Sequence, residues 1–279
     1  MTPLPSLWYY ILCRPNEIKL VSKELDIAAT TAEQAGATLL KHFGKTLDIR
    51  YKDRINLVTN ADQEAEQNIV RRLLKAFPGY GILAEAGTTV EANTKWIIDP
   101  LDGTTNYAHG YPIFCVSIAL EREGGIVLGV IYDPVRKEMF SAERGHGAFL
   151  NRNRMHVSKI RSLGRALLVT GFAYDVHTTR DNNLDHFANF ILKAQAVRRD
   201  GSAALDLAYL ASGRFDGFWE LKLHPWDTAA GSLLVNEAGG RMSDFQGSPF
   251  SIYGQETLAS NGFIHEAMKN SLSLPLPKG

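Results

Sequence analysis

Residues 96–107, WIIDPLDGTTNY, constrain this chain more than any other stretch. Trp96, Ile97 and Ile98 read as the end of a buried strand, and Pro100 forbids its regular continuation because proline has no amide hydrogen for the ladder. The chain is therefore expected to turn at Asp99. Side chains two apart share a face of a straight strand, so Asp99 and Asp102, three apart, converge only if the backbone between them leaves the strand. Gly103 then permits close approach of a ligand. The amides of Gly103, Thr104 and Thr105 stay unpaired if a helical turn begins here, which makes a seat for an anion. Two carboxylates beside free amides suit a divalent metal with a phosphate on it. The competing reading is a plain Asp-Gly-Thr turn whose aspartate caps the next element.

Phosphatases of the haloacid dehalogenase type also show D-x-D-G-T, with a nucleophilic aspartate two residues before the second. Here the spacing is three with proline between, which favours metal ligation by both carboxylates over a covalent aspartyl-phosphate. The stretch resembles the first signature of the inositol monophosphatase family, a strand ending W-I-D-P-I/L-D-G-T-x-N. That family's second signature, W-D-x-A-A-G, stands here as Trp226, Asp227, Thr228, Ala229, Ala230 and Gly231. The two occur in the family's order, and the resemblance runs from about residue 20 to residue 270.

With 279 residues and 45% hydrophobic content the chain can bury one large core or two modest ones. Thirty basic residues balance thirty acidic ones, which leaves no electrostatic footprint for nucleic acid or an anionic membrane and points to a small-molecule partner. Cys13 and Cys115 are too few for a disulfide framework, so a reducing, cytoplasmic compartment is expected. The apolar run 7–13 is too short to span a bilayer. Residues 1–18 read as a loose appendage, 19–160 as an N-terminal α+β subdomain with most metal ligands, and 161–279 as a C-terminal α/β subdomain with Asp227 and the substrate pocket.

Taken in order, Leu25, Ala28, Ala32, Gly36, Leu39 and Phe43 mark an amphipathic helix over 17–43, stopped by Gly44. Asn56, Leu57, Val58, Thr59 and Asp62 match the family's substrate-side loop. Thr59 and Asp62 also read as an N-cap pair for a helix burying Ala65, Ile69, Leu73 and Phe77. A strand over 81–85 ends at Glu85, the first glutamate of the family's G-E-E, while the second has become Ala86; the order of that loop and any weaker third metal are left open. Runs 113–120 and 126–132 read as a hairpin about Gly124-Gly125, and 139–142 and 148–150 as strands flanking a bend. Asn151 to Arg154 stand where the family has Asn-Gly; His146 and His156 read as solvated surface residues. Next come a strand over 166–170 and a helix over 182–195. Gly201, Ser202, Ala203 and Ala204 open a helix whose small residues serve either close packing or a ligand. A strand over 215–220 ends in Glu220, either a polyol-binding acid or a surface charge. Pro225 starts a helix with Asp227 in its first turn, closed by Gly239-Gly240. A last helix covers 264–269, before an end frayed by Pro275 and Pro277.

Glu85, Asp99, Asp102 and Asp227 cannot share one pocket as anions without a cation. The resemblance implies that Glu85, Asp99 and the carbonyl of Leu101 hold one Mg2+ and that Asp99, Asp102 and Asp227 hold a second, with two or three ions in all. It implies substrate contacts from Asp102, Gly103, Thr104, Ser202, Ala203, Glu220 and Asp227. Thr104, oriented by Asp62, and Glu85 would take the proton of an attacking water. The implied activity is hydrolysis of a small phosphate monoester, with myo-inositol 1-phosphate first and histidinol phosphate or fructose 1,6-bisphosphate as alternatives. Lithium sensitivity and a homodimer, with no membrane or nucleic-acid partner, complete that picture. The implied fold is α/β, a layered αβαβα sandwich of two subdomains, of the inositol monophosphatase and fructose-1,6-bisphosphatase type. A non-catalytic binding protein that kept the fold is the reading from another class; loss of a metal ligand would mark it, and all four acids are present.

Overall fold

A computed structural model describes residues 22–45, 49–51 and 57–273, with side chains described outside 46–59. The expected appendage over 1–18, Asn56 of the substrate-side loop, and the frayed end at Pro275 and Pro277 lie outside the described residues. Helix α1, Lys23–His42, starts where the Ser22 hydroxyl accepts the Leu25 amide at 3.1 Å. It buries Leu25, Ala28, Ala32, Ala35 and Leu39, one stripe at helical spacing. Gly44 then takes the left-handed conformation expected of it, at φ 74°. Strands β1, Ile49–Tyr51, and β2, Leu57–Thr59, pair antiparallel and lead into α2, Asn60–Ala76.

The larger sheet follows. It is built from β3, Gly81–Ala84; β4, Thr89–Val90; β5, Thr94–Asp102; and, after the short helix α3, Thr104–Ala108, from β6, Cys115–Arg122; β7, Gly125–Asp133; β8, Glu138–Glu143; β9, Gly147–Leu150; and β10, Asn153–Arg154. Its order is β10-β9-β8-β7-β6-β5-β3-β4, and only β3 and β5 run parallel. The smaller sheet takes β11, Leu167–Thr170; then, after α4, Leu184–Ile191, β12, Ala196–Arg198; after α5, Ala203–Ala211, β13, Gly217–Leu221; and, after α6, Pro225–Glu237, β14, Arg241–Ser243, and β15, Glu256–Ser260. The order is β12-β11-β13-β15-β14, and α7, His265–Ser273, closes the described chain.

Alternation along β5 shows how the layers stack. Trp96 and Ile98 pack with Ala28, Leu39, Ile69 and Leu73 of α1 and α2, whereas Ile97 between them packs with α5 and α6. The opposite side of α5 and α6 meets Val169, Phe218 and Ala259 of the smaller sheet, whose outer face carries Phe190 of α4 and Met268 of α7. The result is the expected αβαβα sandwich. Both faces of the central helix pair are covered by sheet, and α5 is buried along its whole length.

Two local expectations are corrected, and one loop without a reading in the sequence gains one. The β6–β7 hairpin turns on Glu123 and Gly124, at φ 52° and 74°, with Arg122 opposite Gly125. Two consecutive left-handed residues make the type I′ turn that matches strand twist, so Gly125 belongs to β7 and not to the turn. Asn151 and Arg152, at φ 44° and 74°, do the same between β9 and β10, and the Asn151 carboxamide ties the turn back to Met139 and Lys137. Helix α4 is shorter than 182–195. Asn183 is drawn inward at φ 68°, donating to Thr170 and the Gly171 carbonyl and accepting from the Trp219 indole, so helix begins only at Leu184.

Candidate active site

The turn expected at Asp99 is instead a bulge within β5. Asp99 sits opposite Ser117 and Asp102 opposite Cys115, so three backbone steps face two. Ile97 faces the central layer, and with one extra residue absorbed after it Asp99 and Asp102 both emerge on that same face, while Leu101 joins Trp96 and Ile98 on the other. Pro100 falls inside the bulge, where its missing donor costs the ladder little. The Leu101 amide donates to Asp99 Oδ1 at 2.9 Å. Gly103 follows at φ 94°, and a Cβ there would stand 2.8 Å from the Ile113 carbonyl oxygen, so glycine is required on both counts. Tyr107 N to Gly103 O, at 2.9 Å, is the first full-turn bond of α3, which leaves the amides of Thr104 and Thr105 without an acceptor inside the helix.

Helices α5 and α6 aim their N-termini at this bulge. Asp102 Oδ2 accepts the Ser202 hydroxyl and the Ala204 amide, each at 2.7 Å, and so caps α5 from another chain segment. Pro225 occupies the first turn of α6, and Asp227 Oδ2 accepts the His224 amide at 2.7 Å. Carboxylate oxygens of Asp99, Asp102 and Asp227 all lie within 4.8 Å of one another. Glu85 follows β3, its amide bonded to the Ile98 carbonyl at 3.0 Å, and its charge acts on all three aspartates. The Thr104 hydroxyl donates to the Leu101 carbonyl at 3.0 Å, with Asp62 Oδ1 of α2 at 3.5 Å.

Burial pushes the Asp99 carboxyl well above the usual carboxylate range, and repulsion from Asp102, Glu85 and Asp227 adds to it. Burial and the Asp102 charge do the same to Asp227. Burial lifts Asp102 to about 6, against the pull of its bonds to Ser202 and Ala204. Among the described residues no lysine or arginine forms an ion pair with these three. Ionised together they need positive charge from elsewhere, and an all-oxygen donor set fits a hard divalent cation.

Beside the acids opens a cleft of about 590 Å³, walled by Gly103, Thr104, Ser202, Ala203, Glu220 and Asp227. Glu220 is 7% exposed and faces this cleft, which removes the surface-charge reading. Burial and the nearby Asp227 raise its pKa to about 8, with Arg199 opposing. Its carboxylate lies directly over Gly171, where a Cβ would overlap Oε1. His146 and His156 are exposed, as expected.

Three contributors had no role in the sequence reading. The segment 171–177, with Tyr174 and Asp175, forms the far wall, and its irregular sequence carries no periodic signal. Asp206 of α5 lines the cleft at 1% exposure with Oδ1 unpartnered; in sequence it is one acid in an apolar helix. Asn106 donates to the carbonyls of Ile113 and Asp200, each at 2.8 Å, and so ties α3 to the segment entering α5. Its place in the first signature was the available clue.

A family profile described as the inositol monophosphatase family matches residues 21–273. An inositol-1-monophosphatase of Synechocystis sp. is 45% identical over 253 residues, covering 89% of this chain and 88% of that protein. The Nus factor SuhB of Pseudomonas aeruginosa is 42% identical over 267 residues, covering 91% and 97%. The solved inositol monophosphatase of Anabaena (Nostoc) superposes with a TM-score of 0.84 at 44% identity, over 91% of this chain and 96% of that one.

Proposed function

From the premise that this chain belongs to the inositol monophosphatase family of phosphoric monoester hydrolases, we propose that it is a magnesium-dependent phosphatase of small polyol monophosphates, with myo-inositol 1-phosphate its substrate. One observation carries the reading: three aspartates from the bulge of β5 and the first turn of α6 bring ligand oxygens within 4.8 Å of one another beside a cleft that Asp102 and Asp227 line. Glu85, Asp99 and the Leu101 carbonyl would hold one Mg2+, and Asp99, Asp102 and Asp227 a second. When bound, such ions supply positive charge for the phosphate oxygens, acidify a coordinated water and steady the departing alkoxide.

The chain's own residues do the rest. The Gly103 amide just before α3 and the Thr104 amide, which α3 leaves unspent, hold phosphate oxygens. The Thr104 hydroxyl takes a proton from the attacking water as it passes its own to Asp62 Oδ1, 3.5 Å away, and Glu85 helps orient that water. Ser202, engaged with Asp102, and Ala203 shape the alcohol pocket, and Glu220 accepts a ring hydroxyl. With Asp99 and Asp102 both assigned to holding metal, neither is free to act as nucleophile, so water attacks the phosphorus directly and no covalent enzyme intermediate is formed. A homodimer in the cytoplasm belongs to the same reading and is checked by sedimentation.

Phosphate release from myo-inositol 1-phosphate, histidinol phosphate and fructose 1,6-bisphosphate, each with Mg2+, with EDTA, and with Mg2+ plus lithium, tests this. Turnover of the inositol phosphate that requires Mg2+ and falls with lithium is expected. Preferred turnover of either other substrate overturns the substrate, and undiminished turnover in EDTA overturns the metal.

A further inference from the structure

A buried carboxylate lies behind Glu85 that the chemistry above leaves unused. Glu66, 5% exposed, follows Asp62 by one turn on the same side of α2. Its Oε2 accepts the Ala86 amide at 2.9 Å; its Oε1 accepts the Thr88 hydroxyl at 2.7 Å and the Thr88 amide at 3.3 Å. All three donors belong to the turn that follows Glu85. The same turn is closed by Gly87 N to Ala84 O and Ala84 N to Thr88 O, at 3.2 and 3.0 Å, while the Glu85 amide bonds to β5 at Ile98. Glu85 is thus pinned on one side to the strand that carries Asp99 and on the other to the helix that carries Asp62.

Burying a carboxylate is costly unless donors meet it, and here every donor is drawn from one turn. The bonding also explains why alanine is sufficient at position 86, where the sequence left the order of the loop open. The turn is held through backbone amides and Thr88, so the side chain at 86 has no part in it.

We propose that Glu66 is a positioning residue: by clamping residues 86–88 it fixes where Glu85 presents its carboxylate beside Asp99, and so sets the affinity for the divalent ion. The inference rests on the reading of Glu85 as a metal ligand. A residue that merely stabilised the turn would lower melting temperature without acting through Glu85.

Glu66→Gln tests this with little change of volume, because a carboxamide can accept at one end only and turns an NH2 toward the remaining amide donor. Thr88→Val, which deletes one donor and keeps the backbone, is the milder companion. The measurement is calorimetric titration of metal-stripped protein with Mg2+ and with Mn2+, beside melting of the metal-free protein and kcat against metal concentration. Glu66→Gln should weaken metal binding about tenfold, in the range of changes to groups that support ligands, with kcat recovered at saturating metal. Thr88→Val should shift affinity the same way by about twofold to threefold, as loss of one shared hydrogen bond would. On a Glu85→Gln background, Glu66→Gln should change metal affinity no further, since coupled residues are not additive.

Wild-type affinity in Glu66→Gln, or the full tenfold loss persisting without Glu85, overturns the inference and leaves the proposed function standing. If Glu66→Gln fails to fold, unchanged affinity in Thr88→Val overturns it equally. A wild-type protein that takes up neither cation overturns both.

Discussion

Glu220 reaches the cleft because residue 171 has no side chain. An alanine there would drive its Cβ into Glu220 Oε1, and that carboxylate is already buried, so it has to swing away. Gly171→Ala should therefore raise KM for myo-inositol 1-phosphate about tenfold, toward the upper end of what one lost hydrogen bond is worth. Turnover of phenyl phosphate, which has no hydroxyl for Glu220, should stay within about twofold, since the metal ligands are untouched. Steady-state kinetics on the two substrates decide it, and an equal loss on both would show that Glu220 has no selective contact. Asp227→Asn is the opposite case. An amide still accepts the His224 amide that the carboxylate accepts at 2.7 Å, so α6 keeps its cap while the site loses a charge. Metal uptake by calorimetry should fall at least about tenfold, with melting of the metal-free protein unchanged or raised as repulsion is relieved. The acids were legible because their chemistry is written in residue type and spacing: Asp99, Asp102 and Asp227 stand in two contiguous signatures. The burial of Glu220 was not legible, because a strand-end acid reads alike whether it faces solvent or a cleft. What decides is the glycine across the sheet at 171, far away in sequence.

At the scale of elements, the site depends on how closely α6 approaches the larger sheet. Gly129 of β7 sits under Ala230, and a Cβ there would lie 2.8 Å from the Ala230 carbonyl oxygen and 2.9 Å from its Cα. Both are backbone atoms, which cannot rotate aside. Gly129→Ala should cost about 1–3 kcal/mol, the usual penalty for overpacking a filled core, read as a lower urea midpoint with unchanged slope. Because Asp227 stands in the first turn of the same helix, metal affinity should weaken too. Loss of stability with wild-type affinity would mean that the helix shifts without moving its N-terminus. The elements with strong periodicity were legible: α1 and α2 come from patterns that a single face imposes, and Gly44 and Gly239 stop α1 and α6 in the left-handed conformation. Structure departs from the pattern where a partner distant in sequence overrides it. Asn183, pulled toward Thr170 and Trp219, cut α4 short, and the Pro100 stretch became a bulge because β6 continues to pair on its far side. Neither partner can be named from the local sequence.

The molecule as a whole brings the N-termini of its two central helices to one edge of two sheets, and it does so at the cost of crowding acids there. Asp102 and Glu220 have folded pKa values near 6 and 8, above their ordinary 3.8 and 4.5; burial raises Asp99, Asp227 and Asp206 as well. The folded state of the metal-free protein therefore binds more protons than the unfolded state over the interval between those values. Stability is fully present below the ordinary carboxylate range and is lost as pH rises through the folded values. His265, buried between Ser243 and Ser260 and lowered to about 4, and His186, which burial also lowers, act in the opposite sense, but only up to the ordinary histidine value of about 6.5. Above about pH 6.5 the acids act alone. The melting temperature in EDTA should fall from pH 6.5 to 8, and Glu220→Gln should flatten that fall, because its group titrates within the interval. A divalent cation that binds the ionised carboxylates offsets the same repulsion, so the rise in melting temperature produced by saturating Mg2+ should widen with pH. Differential scanning calorimetry at several pH values, with EDTA and with Mg2+, measures both slopes. A gap that narrows toward pH 8 would mean that the acids are ionised without the metal's help, and the cluster would then be held apart by the fold and not by an ion.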